Sequence, residues 1–406
     1  MSKLKSKLFS GALAIMMMFA MLMTVGTTTV SAENGLFTTP SIYKEIVKDA
    51  GTTTPTQEVT YEVAKKGFNG TDDKTNLPAI DDVVISFTAG DTGTTQPDGT
   101  VKVTKSEAID IPTTGTGGFA KAGEYVYIIS EKDSSAISES NATMSKSQVQ
   151  YRMHVFVQNA SGGGIEVAGI AVYQITDENG AEITNPKKID ADTEATGIAF
   201  SSTYRKIAGS QDVTGTTDYT SFKLSKTTEG TLADLDQTFT FTLNFKASPL
   251  HTASGTYTYN VMEGATTVST NTFTLSGAGA TETVTVNLKN GQEVVFINLP
   301  TGTTFYGVET GFGSYVPTGT LITNGQEMSP TLSAEAGEDL LINVDSAQAP
   351  NTLLGENTNS AAIKNTYNSV SITGILLDNL PFIILIAVGV AGFGFYAVNR
   401  KRNAVR

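Results

Sequence analysis

Phe239-Thr240-Phe241-Thr242-Leu243 alternates large apolar side chains with threonine, so that one face can enter a core while the other meets water. Threonine and phenylalanine are β-branched or aromatic, types that suit a half-buried pleated surface. The same alternation recurs in Val59-Thr60-Tyr61-Glu62-Val63, in Tyr125 to Ile129, in Tyr151 to Val157 and in Thr283 to Leu288. Polar turns such as Asp177-Glu178-Asn179-Gly180 and Lys289-Asn290-Gly291-Gln292 separate these runs, which is the signature of an antiparallel sandwich rather than of an α/β fold. One short helix is expected, around Ser41 to Asp49, before the first strand.

The two ends bound the rest. Lys3, Lys5 and Lys7 precede an apolar run from Leu8 to Val25 that exits through Val30-Ser31-Ala32, the layout of a secretory signal peptide cut after Ala32. Pro381 to Val398 carries no charge and is followed by Asn399-Arg400-Lys401-Arg402, a stop-transfer helix with its basic end held inside the cell. Between them the chain has no cysteine and therefore no disulfide. A net charge of −13 argues against nucleic acid as a partner, and two histidines with no tryptophan leave little material for metal sites or sugar platforms. No cofactor or metal is expected, and no Ser-His-Asp grouping, phosphate loop or zinc spacing supports a turnover enzyme.

The exported region is too long for one sandwich and suits two. The expected division is a signal peptide at 1–32, an N-terminal leader at 33–57, a first sandwich at 58–207, a second at 217–367 and a tail at 368–406 with its membrane helix at 381–398. The small, polar stretch Ala208 to Gly215 lies at the join. Each module repeats a plan: a strand ending in lysine, a late glutamate at a strand end, and a closing strand with a polar-Tyr motif. Lys65, Glu131 and Phe200-Ser201-Ser202-Thr203-Tyr204 fill it first; Lys226, Glu309 and Ile363-Lys364-Asn365-Thr366-Tyr367 fill it second.

Side chains two apart on a strand share a face, so Lys226 is in phase with Phe222 and Leu224, and Glu309 with Phe305. By the same count Lys65 follows Tyr61 and Val63 inward, and Glu131 follows Tyr127 and Ile129. A buried lysine beside a glutamate is, taken alone, an ordinary internal ion pair. Asn365, on the face of Ile363, adds a second reading. Desolvation turns the lysine into a neutral amine and keeps the glutamate protonated, and that acid can polarise the asparagine carboxamide for attack by Lys226. Ammonia leaves, and an amide joins the first strand of the module to its last, once per molecule.

Phe222-Lys223-Leu224-Ser225-Lys226, Leu299 to Phe305 running into Glu309, and Lys364-Asn365-Thr366-Tyr367 resemble the isopeptide-linked domain of streptococcal backbone pilins, and Gly123 to Glu131 resembles the glutamate box of that family's first domain. The resemblance implies two tandem immunoglobulin-like sandwiches of the collagen-adhesin B type, with a Lys226–Asn365 isopeptide bond formed with the help of Glu309 and a similar role for Glu131. Two positions depart from it. Ser202 stands where the linking asparagine of the first domain would be, so that site reads as vestigial, with either Lys65 or Lys66 pointing inward. Gly307 replaces a larger apolar residue beside Glu309.

The tail resembles a sortase sorting signal, although Val370-Ser371-Ile372-Thr373-Gly374 lacks the family's proline. The resemblance implies cleavage between Thr373 and Gly374 and joining of Thr373 to an amine. Lys187 and Lys188, after Asn185-Pro186, are the expected accepting lysines, against a reading as solvated turn charges. The implied partners are a sortase, further pilin subunits and the cell wall or membrane. The function expected is a pilus shaft subunit at the cell surface; the alternative is an adhesin displayed singly.

Overall fold

The computed structural model of the chain describes residues 39–403, apart from 76, 116, 133–136, 138, 191–196, 212–217 and 369–372. The signal segment with its cleavage point at Ala32, residues 212–215 of the polar join and residues 370–372 of the sorting motif lie outside the described residues. The described part is all-β, two sandwiches in tandem followed by one helix.

The first sandwich is built from β1 (Ser41–Lys48), β2 (Gln57–Phe68), β3 (Val83–Phe87), β4 (Val101–Ala108), β5 (Gly123–Glu131), β6 (Gln150–Asn159), β7 (Ile165–Gln174) and β8 (Ile198–Lys206). One sheet runs β4-β1-β8, extended by the short strands Thr94–Thr95 and Ala142–Met144, and the other runs β7-β6-β5-β2-β3 with Lys188–Ile189 on its β7 edge. Ile46, Phe200, Tyr61, Tyr127 and Met153 from the two sheets meet in one core.

Ser41–Lys48 is therefore a strand, and the helix expected around Ser41 to Asp49 does not form. Along β1, Ile42, Lys44, Ile46 and Lys48 alternate inward. Isoleucines four apart fit either period, and the decision comes from the neighbours: β1 is paired antiparallel with β4 on one side and parallel with β8 on the other. The first sandwich accordingly begins within the expected leader, well before residue 58.

The second sandwich repeats the arrangement with β9 (Tyr219–Glu229), β10 (Phe239–Lys246), β11 (Gly255–Glu263), β12 (Thr266–Leu275), β13 (Thr281–Leu288), β14 (Gln292–Ile297), β15 (Thr304–Glu309), β16 (Val316–Thr323) and β17 (Ser360–Thr366). The order is β12-β11-β14-β9-β17-β16 in one sheet and β13-β10-β15 in the other, with Leu340–Ile342 beyond β15. The stretch Phe239 to Leu243 lies on β10 with both phenylalanines and Leu243 buried, as its alternation requires. In each module the first and last long strands, β1 with β8 and β9 with β17, are parallel neighbours. Helix α1 (Thr373–Asn403) contains Pro381–Val398, of mean hydropathy 2.2 and with none of its window buried, long and apolar enough to cross a membrane.

Between the sandwiches the chain makes a dense joint. Ala208 N donates to Leu299 O at 2.8 Å, Thr301 N to Lys206 O at 2.9 Å and Glu356 N to Gly51 O at 3.0 Å. Lys206 bridges Glu139 of the first module and Glu356 of the second, at 2.6 and 2.8 Å. Asp49, just past β1, is buried and accepts hydrogen bonds from the hydroxyls of Ser248 and Thr301 in the second module. Gly302 follows with φ of 76°, and a Cβ there would approach Asp49 Oδ1 to 2.6 Å, so only glycine leaves room for that carboxylate.

Burial raises the Asp49 pKa to about 6 despite the two hydroxyls. A folded-state value above the unfolded one means that the stabilisation is complete below the unfolded pKa and is lost as pH rises through 6, an effect of about 3 kcal/mol for a group this deeply placed. Asp49→Asn is expected to raise the melting temperature at pH 7 and to leave it unchanged near pH 4. Melts of wild type and variant across that range check this, and equal shifts at both pH values would remove Asp49 as the titrating group.

Candidate functional site

In the second module Lys226 comes from the middle of β9, where Phe222, Leu224 and Lys226 all point inward as their spacing of two dictates. Asn365 comes from β17, the parallel neighbour, in register with Thr228 two residues past the lysine. Glu309 ends β15 in the opposite sheet and reaches across the core. Lys226 is 1% exposed, Glu309 1% and Asn365 3%. Lys226 Nζ lies 2.6 Å from Glu309 Oε1, and Asn365 Nδ2 donates to that same oxygen at 2.8 Å.

The surroundings are aromatic and dry. Lys226 Nζ sits 4.0 Å from the centre of the Phe239 ring and 5.7 Å from that of Phe241. Ring faces favour an ammonium, as does Glu309, but desolvation outweighs them and lowers the Lys226 pKa to about 8. Burial also pushes the Glu309 carboxyl up from its ordinary value, against the pull of Lys226 and Asn365. Both shifts move the pair toward its neutral forms. Glu309 Oε2 and Asn365 Oδ1 are buried without a hydrogen-bond partner, so the cluster still has polar capacity unused.

Gly307 has a local reason. It lies opposite Leu243 in the ladder, and a Cβ on it would come within 2.6 Å of Leu243 Cδ2. The leucine fills the space that a larger residue on β15 would take, and the pocket stays closed.

The first module has a matching cluster, with one correction to the sequence reading. Its inward lysine is Lys44 on β1, not Lys65 or Lys66. Lys44 Nζ donates to Glu131 Oε2 at 2.7 Å and to Ser202 Oγ at 2.6 Å, and all three residues are buried. Lys65 is only half-buried, opposite Tyr127, because β2 is irregular between Lys65 and Gly67 and the phase set by Tyr61 and Val63 ends there. Lys66 is exposed and paired with Asp72 at 3.1 Å. The helix reading of Ser41 to Asp49 hid Lys44; the signal that would have found it is the alternation Ile42-Lys44-Ile46, the same device as Phe222-Leu224-Lys226. Glu131 and Ser202 stand where the sequence placed them.

Lys187 and Lys188 are exposed, the latter on a short strand paired to β7 opposite Tyr173. Thr373 and Gly374 open helix α1, so the bond expected to be cut lies in its first turn.

A family model described as a domain of unknown function, DUF7601, matches residues 220–367, which is the second sandwich. No curated protein matches the chain. Among solved structures, the major pilin of Streptococcus pyogenes is similar at 15% identity, covering 82% of this chain and 100% of that one with a TM-score of 0.34. The T3.2 major pilin of the same organism gives 18% identity, 81% and 98% coverage and a TM-score of 0.31. A pilus-presented adhesin gives 11% identity, 81% and 100% coverage and a TM-score of 0.24.

Proposed function

We propose that this chain is an exported structural subunit of a cell-surface pilus whose second sandwich locks itself with an amide bond between Lys226 and Asn365. The observation that carries the reading is the convergence of the Lys226 amine and the Asn365 carboxamide on one oxygen of buried Glu309, across two parallel strands that open and close the module.

A half-turn of the carboxamide exchanges its nitrogen and oxygen and lets a protonated Glu309 donate to Asn365 Oδ1. The polarised carbon is then attacked by the neutral Lys226 amine. Glu309 takes a proton from the attacking nitrogen and returns it to the leaving one, and the C–N bond of the carboxamide breaks. Lys226 and Asn365 end as one amide, ammonia departs and Glu309 is unchanged. The pocket reacts only with itself.

Parallel terminal strands give such a bond a mechanical purpose, because pulling on the module would otherwise slide β17 past β9. In this reading the tail is processed at Thr373–Gly374 by a sortase, and an exposed lysine such as Lys187 or Lys188 accepts the next subunit. Intact mass of the exported chain tests the crosslink: one ammonia below the sequence mass is expected, and the full sequence mass would remove it. Wall extracts on denaturing gels test the assembly. A ladder is expected, whereas a single band would make the chain a singly displayed adhesin.

The first module has no such closure, so limited proteolysis is expected to clip it before the second; the reverse order would count against the crosslink's role.

A further inference from the structure

We infer that the first module contains a complete crosslinking pocket lacking only its acceptor, so that a carboxamide placed at position 202 will join to Lys44 with no other change. The two pockets agree in register. Ser202 pairs with Ile46, two residues past Lys44, as Asn365 pairs with Thr228, two residues past Lys226. Glu131 lies opposite Tyr61 on the facing sheet, as Glu309 lies opposite Phe241. The nucleophile, the acid and the acceptor position thus occur on equivalent strands.

The distances go further. Ser202 Oγ is 2.6 Å from Lys44 Nζ, and the amide carbon of an asparagine in the same rotamer would occupy nearly the place of that oxygen. That is slightly closer than a near-attack arrangement of roughly 3 to 3.5 Å, so a small retreat of the flexible lysine end brings nucleophile and carbon into range. The acid is already engaged, with Glu131 Oε2 at 2.7 Å from the amine. Glu131 Oε1 and the Tyr61 hydroxyl are both buried without a hydrogen-bond partner, so the pocket holds polar groups that serine leaves unanswered and a carboxamide can meet. Burial lowers the pKa of Lys44 as it does that of Lys226. The bond formed is Lys44 Nζ to the new side-chain carbon; the bond broken is that carbon to its amide nitrogen, which leaves as ammonia. A hydroxyl has no such carbon to offer, and serine alone therefore keeps the module open.

The inference borrows the chemistry assigned to Lys226 but is read as a difference from wild type. The full chain carrying Ser202→Asn is expected to weigh one ammonia less than its own sequence predicts beyond whatever wild type loses, with a digest in which the β1 and β8 peptides travel together. Adding Lys44→Ala should abolish that extra loss. A folded Ser202→Asn protein with no extra loss overturns the inference, whatever the second module does. Ser202→Asp guards against misfolding, since it would close with loss of water; if neither variant folds, the pocket has no room for an acceptor and the inference fails. Wild type at full sequence mass would instead sink only the second-module assignment.

Discussion

Glu309→Ala is expected to carry its full complement of ammonia and to melt well below wild type in the second module. The bond it prevents would close a loop running from β9 to β17, nearly the whole module, and in the chain-entropy picture a closure of that length is worth about 5 kcal/mol. Removing the acid also strands Lys226, whose ammonium is in contact with no other carboxylate among the described residues and lies in an aromatic pocket. For a domain of this size the combined loss corresponds to a fall on the order of 10 to 20 °C in melting temperature. Glu309→Gln separates the two effects: it keeps the volume but has no proton to relay. Retained ammonia in Glu309→Gln is expected, and crosslinking at the wild-type rate in that variant would end the role given to the acid.

Lys44→Ala should damage the first module nearly as much, for an electrostatic reason alone. Lys44 and Glu131 have side chains with no exposed surface, and Glu131 already has one oxygen without a partner. Deleting the lysine leaves a carboxylate in the core with only weak compensation, a change that costs roughly 3 to 5 kcal/mol. Replacing the pair together, Lys44→Met with Glu131→Leu, removes both charges and is expected to recover most of that loss, because a buried ion pair contributes little beyond what apolar packing of the same volume would. Denaturant unfolding followed through the first module reads both variants. An unchanged midpoint in Lys44→Ala would show that the pair does not hold the strands.

The two pockets also show why the inward lysine of one module is legible in its own strand and that of the other is not. Phe222, Leu224 and Lys226 form an unbroken alternation, and the observed β9 keeps it. In β2 the alternation runs through Tyr61 and Val63 and then breaks at an irregularity that depends on the pairing with β5, which no count along β2 can reveal. The strand holding Lys44 has the right period, but its isoleucines fit a helix too, and the sheet neighbours that settle the matter lie far along the chain. Asp49, at the end of the segment expected as a helix, has no partner nearby in the sequence; it gains a role only when the second sandwich covers it with Ser248 and Thr301.

Periodicity and side-chain chemistry along the chain are local properties, and they were enough to determine two all-β modules, an uncharged span near the C-terminus and the inward faces of Lys226, Glu131, Glu309 and Asn365, whereas Ser202 was marked by the repeated plan and the resemblance to pilin domains. Which lysine serves the first pocket, where the first sandwich starts, and how Gly302 admits Asp49 were decided only by tertiary structure. Those features depend on which strands become neighbours and on what water is shut out between them, and pairing over such separations leaves no mark in the spacing of residues.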